Sequence, residues 1–234
     1  MRLTIISDTH GMHKKVTPFL DGGDAIIHAG DLSGRGDLYE IDGFAGWYHK
    51  LENYRYKIFI AGNHDIGLED NNKKAIEVIN DHGRELNYLQ DEKLIIKGTT
   101  DVLVWGSPWQ PEFLNWAFNL PRNGQELEDK WNEIPEDADI LITHGPPFGI
   151  LDYAKYSAKN VGCEKLLERV LEIKPKLHIF GHIHEGAGYQ FNGDTHFINA
   201  SVLNERYEFR NRPLIVDWDP ETNKLEFIED KTDG

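Results

Sequence analysis

The sequence predicts an α/β fold with a parallel sheet and helices on its face. Two observations predict it. The first half alternates short β-branched runs with helical spacings. Nearly every strong β run also ends on residues that bind metals. In a parallel α/β sheet the carboxyl ends of the strands share one edge, and ligands bind there.

Residues 3–6 form a short buried β run, and 25–28 and 57–60 two more. Between the first two, 11–20 is a loop and short helix interrupted by Pro18. In 39–51, Ile41, Phe44, Trp47, Tyr48 and Leu51 make one apolar stripe at helical spacing. Residues 69–82 read as a helix stopped by Gly83. Strands follow at 94–96 and 102–105. The segment 106–121 is rich in Trp, Phe and Pro and has no clear period. It is expected to be an irregular aromatic loop or cap, lying over either a site or a patch of core. A short acidic helix (124–131), a strand (139–143), a helix (163–173) and a strand (177–180) come next. The end is β-rich, at 187–191, 195–198, 214–218 and 225–228. Asn192-Gly193 and Pro220-Glu221-Thr222-Asn223 are its hairpin turns. The tail 229–234 is polar and expected to fray. No repeat or linker splits the chain, so a single domain over 1–234 is expected.

The 234 residues are 39% hydrophobic with a mean hydropathy of −0.54, and no apolar run approaches a membrane span. No membrane partner is expected. Cys163 is the only cysteine, which excludes an internal disulfide and points to the cytoplasm; its expected role is structural. The start lacks the features of a signal peptide. A formal net charge of −15 argues against a general basic surface, so extended nucleic acid is not an expected partner. A small phosphate-bearing substrate would need metal ions or a few local arginines. Nothing in the sequence sets the oligomeric state.

The chemistry-bearing residues recur at strand ends. Asp8-Thr9-His10 follows the first run, Gly30-Asp31 the second, and Gly62-Asn63-His64-Asp65 the third. His144 follows the fourth, and Gly181-His182-Ile183-His184 the fifth. On a continuing strand His182 and His184 would face opposite ways. In a turn, each ring can serve a different ion. Mixed oxygen and imidazole donors suit Mn, Fe, Zn, Co or Ni better than Ca or Mg. The ligands are too many for one ion, and Asp31 is the natural bridge between two. Two ions roughly 3.5–4 Å apart can clamp an in-line phosphoryl displacement and acidify a water nucleophile.

This order of motifs (D-x-H, GD, GNH, H, GHxH) resembles the calcineurin-like metallophosphoesterase superfamily and covers most of the chain. The resemblance implies a four-layer α/β/β/α sandwich and two divalent transition-metal ions, with Mn favoured. It implies Asp8, His10, Asp31 and His184 on one metal, and Asp31, Asn63, His144 and His182 on the other. It implies His64 as general acid or transition-state stabiliser, oriented by Asp65 or Asp31. The words Ala61-Gly62-Asn63-His64, Gly181–Gly186 and Ile198-Asn199-Ala200-Ser201 look like the metallophosphoesterase-domain-containing branch. That likeness implies a phosphodiesterase acting on small or cyclic-nucleotide diesters by metal-hydroxide attack.

One departure matters. Gly34 stands where the protein Ser/Thr phosphatase block has Asp, and Ile66 where it has Arg. Arg35 either contacts a substrate phosphate or is solvated; Asn199 either orients a ligand or approaches substrate. Trp109, Phe113 and Trp116 either stack a base or form a hydrophobic cover. His28 and His178 are expected in the core or behind the ligands, and His13 at the surface or in the cleft. The alternatives are a nuclease, which the charge disfavours, and a non-catalytic scaffold, which the complete ligand set disfavours.

Overall fold

The computed structural model describes residues 1–228. The frayed tail expected at 229–234 lies outside the described residues. In chain order the first elements are β1 (Arg2–Ile6), β2 (Gly23–Ala29), α1 (Leu38–His49), β3 (Tyr54–Ile60), α2 (Ile66–Asp70), α3 (Asn72–His82) and β4 (Leu86–Tyr88). Next come β5 (Glu92–Ile96), β6 (Val102–Ser107), the two-residue ladder β7 (Gln110–Pro111) with β8 (Asn119–Leu120), α4 (Gln125–Asn132) and β9 (Ile140–Thr143). The rest is β10 (Tyr153–Ala154), β11 (Lys159–Asn160), α5 (Glu164–Ile173), β12 (Leu177–Phe180), β13 (Gly188–Phe191), β14 (His196–Asn199), β15 (Leu214–Asp219) and β16 (Lys224–Phe227).

Two six-stranded sheets form, in the orders β16-β15-β1-β2-β3-β4 and β13-β14-β12-β9-β6-β5. The inner strands of each are parallel. Strand alternation explains how they pack. Leu3, Ile5, Ile27, Ile58 and Ile60 turn one way and meet Val104, Ile140, Ile142, Ile179 and Ile198 of the other sheet. On the opposite face of the first sheet, Ile26 and Phe59 pack on Phe44, Tyr48 and Ile79 of α1 and α3. On the outer face of the second, Leu141, Phe180 and Phe197 pack on Trp131, Leu166 and Val170 of α4 and α5. The result is the four-layer α/β/β/α sandwich.

Local chemistry sets the helix ends. Asp37 caps α1 by accepting from the Glu40 N–H at 2.8 Å. Cys163 is buried and caps α5 through its sulfur, so the helix begins one residue later than its spacing suggested. The single helix expected at 69–82 is two. It starts at Ile66 and breaks at Asn71 (φ −122°), where the Asn72 side chain donates back to the Leu68 carbonyl at 2.9 Å. In place of the loop and short helix expected at 11–20 there are two 3-10 turns, His13–Lys15 and Thr17–Phe19, with Pro18 inside the second.

Phe44 is wholly buried among His28, Trp47, Tyr48 and Phe59. Phe44→Ala is expected to lower unfolding free energy by about 3–5 kcal/mol, read from urea midpoints at unchanged slope.

Candidate metal centre

The residues gather from two sheets, not one. Asp8, Asp31, Asn63 and His64 follow β1, β2 and β3 of the first sheet. His144, His182 and His184 follow β9 and β12 of the second. The sequence suggested a single shared strand edge; face-to-face packing brings two such edges together. The backbone turns sharply there. Asp8, His10, Asp31 and His182 have φ of 55°, 42°, 55° and 67°. Non-glycine residues in this region carry roughly 1–3 kcal/mol of strain each, and such residues cluster at functional sites. Two glycines make the room. A Cβ on Gly62 would lie 2.3 Å from Asp31 Oδ1, and one on Gly181 would lie 2.2 Å from Asp8 Oδ2.

Two groups of donors result, Asp8 with His10 and His184, and Asp31 with His144 and His182. Asp31 Oδ2 lies 3.6 Å from His10 Nε2 and 3.4 Å from His144 Nε2. One carboxylate oxygen thus stands between the two groups, where a bridging ligand belongs. His184 Nε2 lies 3.4 Å from Asp8 Oδ1, and Asn63 Oδ1 lies 3.0 Å from His144 Nε2. The tautomers suit metal binding. His144 Nδ1 donates to the Ala29 carbonyl at 3.0 Å and His184 Nδ1 to the Asn204 carbonyl at 2.9 Å, which leaves each Nε2 to face the centre. Both ring nitrogens of His10 are buried without a hydrogen-bond partner among the described residues. Buried polar atoms rarely stay unpaired. A divalent ion on one of these nitrogens would give it a partner, and the mixed oxygen and nitrogen donors fit a transition metal.

Without metal, protons do part of the same electrostatic work. Burial alone would lower the His144 imidazolium, but Asp31 outweighs it and raises it to about 9. Burial is likewise outweighed at His184, where Asp8 raises the ring to about 9. Burial works against the Asp8 charge, yet His184 holds that carboxyl well below its ordinary value. Asp31 is held low in the same way, chiefly by His144. Burial and the charge on His144 push His182 down to about 3.

The remaining predicted residues divide. Asn63 is buried beside His144. The His64 ring is half-buried, and its Nδ1 donates to the Gly34 carbonyl at 2.8 Å. Its backbone N–H donates to Asp31 Oδ1 at 2.8 Å. A ring nitrogen of His64 also groups with His10 and Asp31. Asp65 does not orient that ring. Its carboxylate accepts from the N–H groups of Leu32, Ser33 and Gly62 and from the Ser33 hydroxyl, so it builds the loop after Asp31. Burial and the nearby Asp31 charge raise it to about 6. Asn199 is fully buried. It donates to the Ile183 and Leu151 carbonyls and accepts from Ser201, whose hydroxyl accompanies Asp8 Oδ2 at 2.7 Å. Arg35 is exposed, in a loop whose N–H groups at Gly34, Arg35 and Gly36 all donate to Glu40.

His28 and His178 stand behind the ligands. Each places Nε2 2.9 Å from a threonine hydroxyl, Thr9 next to Asp8 and Thr143 next to His144. Burial lowers both to about 3, so they are neutral. His13 is buried against Trp47. In the aromatic segment, Trp116 stacks on His64 at 4.1 Å and Phe113 meets His182 edge-on at 6.3 Å, while Trp109 donates to Asp91 and packs on Phe118. Sequence reasoning missed Tyr207, which lies 4.9 Å from His10 and 5.2 Å from His184, ring centre to ring centre. It also missed Ser201 as a partner of Asp8. The signal for Tyr207 was weak, a lone aromatic in a polar turn opened by Asn204.

Residues 1–186, which carry every donor named above, match the calcineurin-like phosphoesterase family. The chain belongs to that family. It is a metal-dependent phosphoesterase with a dinuclear divalent-metal centre. It is 39% identical to metallophosphoesterase domain-containing protein 1 of Homo sapiens, over 92% of this chain and 70% of that protein, and equally to the Mus musculus protein. The solved structure of TT1561 from Thermus thermophilus superposes with a TM-score of 0.61 at 17% identity, over 97% of each chain. That likeness concerns the fold.

Metal uptake by this phosphoesterase is expected to release protons from His144 and His184. Their raised values mean that affinity climbs with pH up to about 9 and levels off above it, by about tenfold per pH unit for each proton displaced. Calorimetry in buffers of different ionisation enthalpy at about pH 7.5 measures the release; a heat independent of buffer would refute it. Asp31→Asn removes the charge between the two donor groups, and metal content is expected to fall below two ions per chain. Elemental analysis showing two ions retained would rule out the bridge.

Proposed function

We propose that this phosphoesterase is a phosphodiesterase, hydrolysing small or cyclic-nucleotide diesters by in-line displacement. The observation that carries the reading is the placement of His64. Its Nδ1 is committed to Gly34, its neighbours are His10 and Asp31, and it is not wholly enclosed. A departing alkoxide or unactivated phenoxide needs a proton, and an imidazolium fixed beside the metal ligands, with its Nδ1–H held by Gly34, can deliver one from Nε2. Two divalent ions held by these residues supply Lewis-acid activation of the phosphoryl group and of a water nucleophile.

Charge supports a diester over a monoester. A diester carries one negative charge, and a monoester near neutral pH carries close to two. Ile66 occupies the position where the protein phosphatase block has an arginine, so one phosphate-binding cation is absent. Arg35, on the loop that supplies the Gly34 carbonyl, is the cation we assign to a substrate phosphate oxygen. Manganese is the favoured metal, on the mixed oxygen and imidazole donors. The cytoplasm is the favoured compartment, on the single buried cysteine. Among the described residues no helix is long and apolar enough to cross a membrane.

Manganese-reconstituted protein assayed on aryl diesters, aryl monoesters, and 2′,3′- and 3′,5′-cyclic nucleotides is expected to turn over diesters at least about tenfold faster than monoesters. A preference for monoesters would overturn the reading. His64→Ala is expected to lower kcat by about 10²–10⁴ with metal content unchanged. Normal turnover in that variant would remove His64 from the mechanism.

A further inference from the structure

We propose that Trp116 is a positioning residue for His64, fixing the imidazole in the orientation from which it reaches the leaving group. The inference rests on the general-acid role proposed above. His64 is restrained on three sides. Its Nδ1 donates to the Gly34 carbonyl at 2.8 Å. The Trp116 ring lies 26° from parallel to it, with ring centres 4.1 Å apart. His10 meets it edge-on at 4.5 Å and 83°. A hydrogen bond at one ring edge still lets an imidazole rock about that bond. A large flat ring against its face removes that freedom.

The indole is delivered to His64 by the backbone. The N–H of Ala117, the next residue after Trp116, donates to the carbonyl of Asn63, the residue before His64, at 3.0 Å. The N–H of Phe118 donates to the Glu69 carboxylate at 3.0 Å, on the helix that follows His64. The Phe118 side chain is fully buried and anchors the segment in the core under α1 and α3. The aromatic segment is thus tied to the chain on both sides of the residue that Trp116 covers. The indole face toward His64 is occupied, so that face offers no platform for a nucleobase.

Aryl methyl phosphodiesters with leaving groups from p-nitrophenol to phenol test the role, because only the poorer leaving group depends on a well-aimed acid. Trp116→Ala is expected to lower kcat about tenfold or more for the phenyl ester and less than about threefold for the nitrophenyl ester, with KM little changed. Trp116→Phe restores a flat face and is expected to recover most of the loss. A second readout is independent of turnover. In zinc-loaded protein the indole ring current displaces the His64 ring-proton resonances, and Trp116→Ala is expected to return them toward ordinary positions while those of His144 and His184 stay. Equal loss for both leaving groups, or a loss carried by KM rather than kcat, would overturn the proposal. His64 resonances unmoved in Trp116→Ala would overturn the stacking alone. A loss in His64→Ala that does not depend on the leaving group would overturn the acid role beneath it.

Discussion

Asp8 and Asp31 are buried carboxylates where the two sheets meet, and the surrounding chain is built to tolerate them. An ionised carboxylate taken out of water is costly unless it is paired and hydrogen-bonded. Here the partners come from both sheets. Asp31 has His10 and the His64 N–H from its own side and His144 from the other. Asp8 has the His182 N–H, the His184 ring and the Ser201 hydroxyl. The left-handed backbone at Asp8, His10, Asp31 and His182 follows from that demand, since it turns side chains off the strand ends into the seam.

The same demand organises what lies behind the ligands. Asn199 and Ser201 tie the His182–His184 turn to Asp8. Asp65 ties the loop after Asp31 to the turn at Gly62. Glu40, in the first turn of α1, gathers three consecutive N–H groups and so sets the Gly34 carbonyl on which His64 depends. A helix cap is thereby linked through one loop to the proposed acid. Such groups hold first contacts in place before substrate arrives, and electrostatic catalysis needs that preorganisation. On the irregular segments, Trp116 packs on the His64 ring and Tyr207 on the His10 ring.

Much of this was legible in the sequence, because strand ends announce themselves. A β run that stops on Asp-Thr-His or Gly-Asn-His leaves few other readings, and each ligand proposed from such a run lies at the centre. The helix stripe of α1 was an equally local signal, and α5 was legible to within one residue at its start. Roles that depend on distant partners were not legible. Asp65 follows His64 directly in sequence, yet its carboxylate faces the loop at Leu32 and Ser33. Asn199 ends β14 and turns inward to the His184 loop. Tyr207 had no periodicity around it to give it a place.

The sequence by itself determined the donor types, their order, and the α/β class, since these follow from residue chemistry and from periodicities of a few residues. Only the tertiary structure decided that the donors come from two facing sheets, and that β15 and β16 return to the first sheet beside β1 while β13 and β14 join the second. It also decided that Gly34, not Asp65, holds the His64 ring. The reason is physical. Sheet membership and ring orientation are settled by packing and hydrogen bonds between residues far apart in the chain, and local pattern carries no record of them.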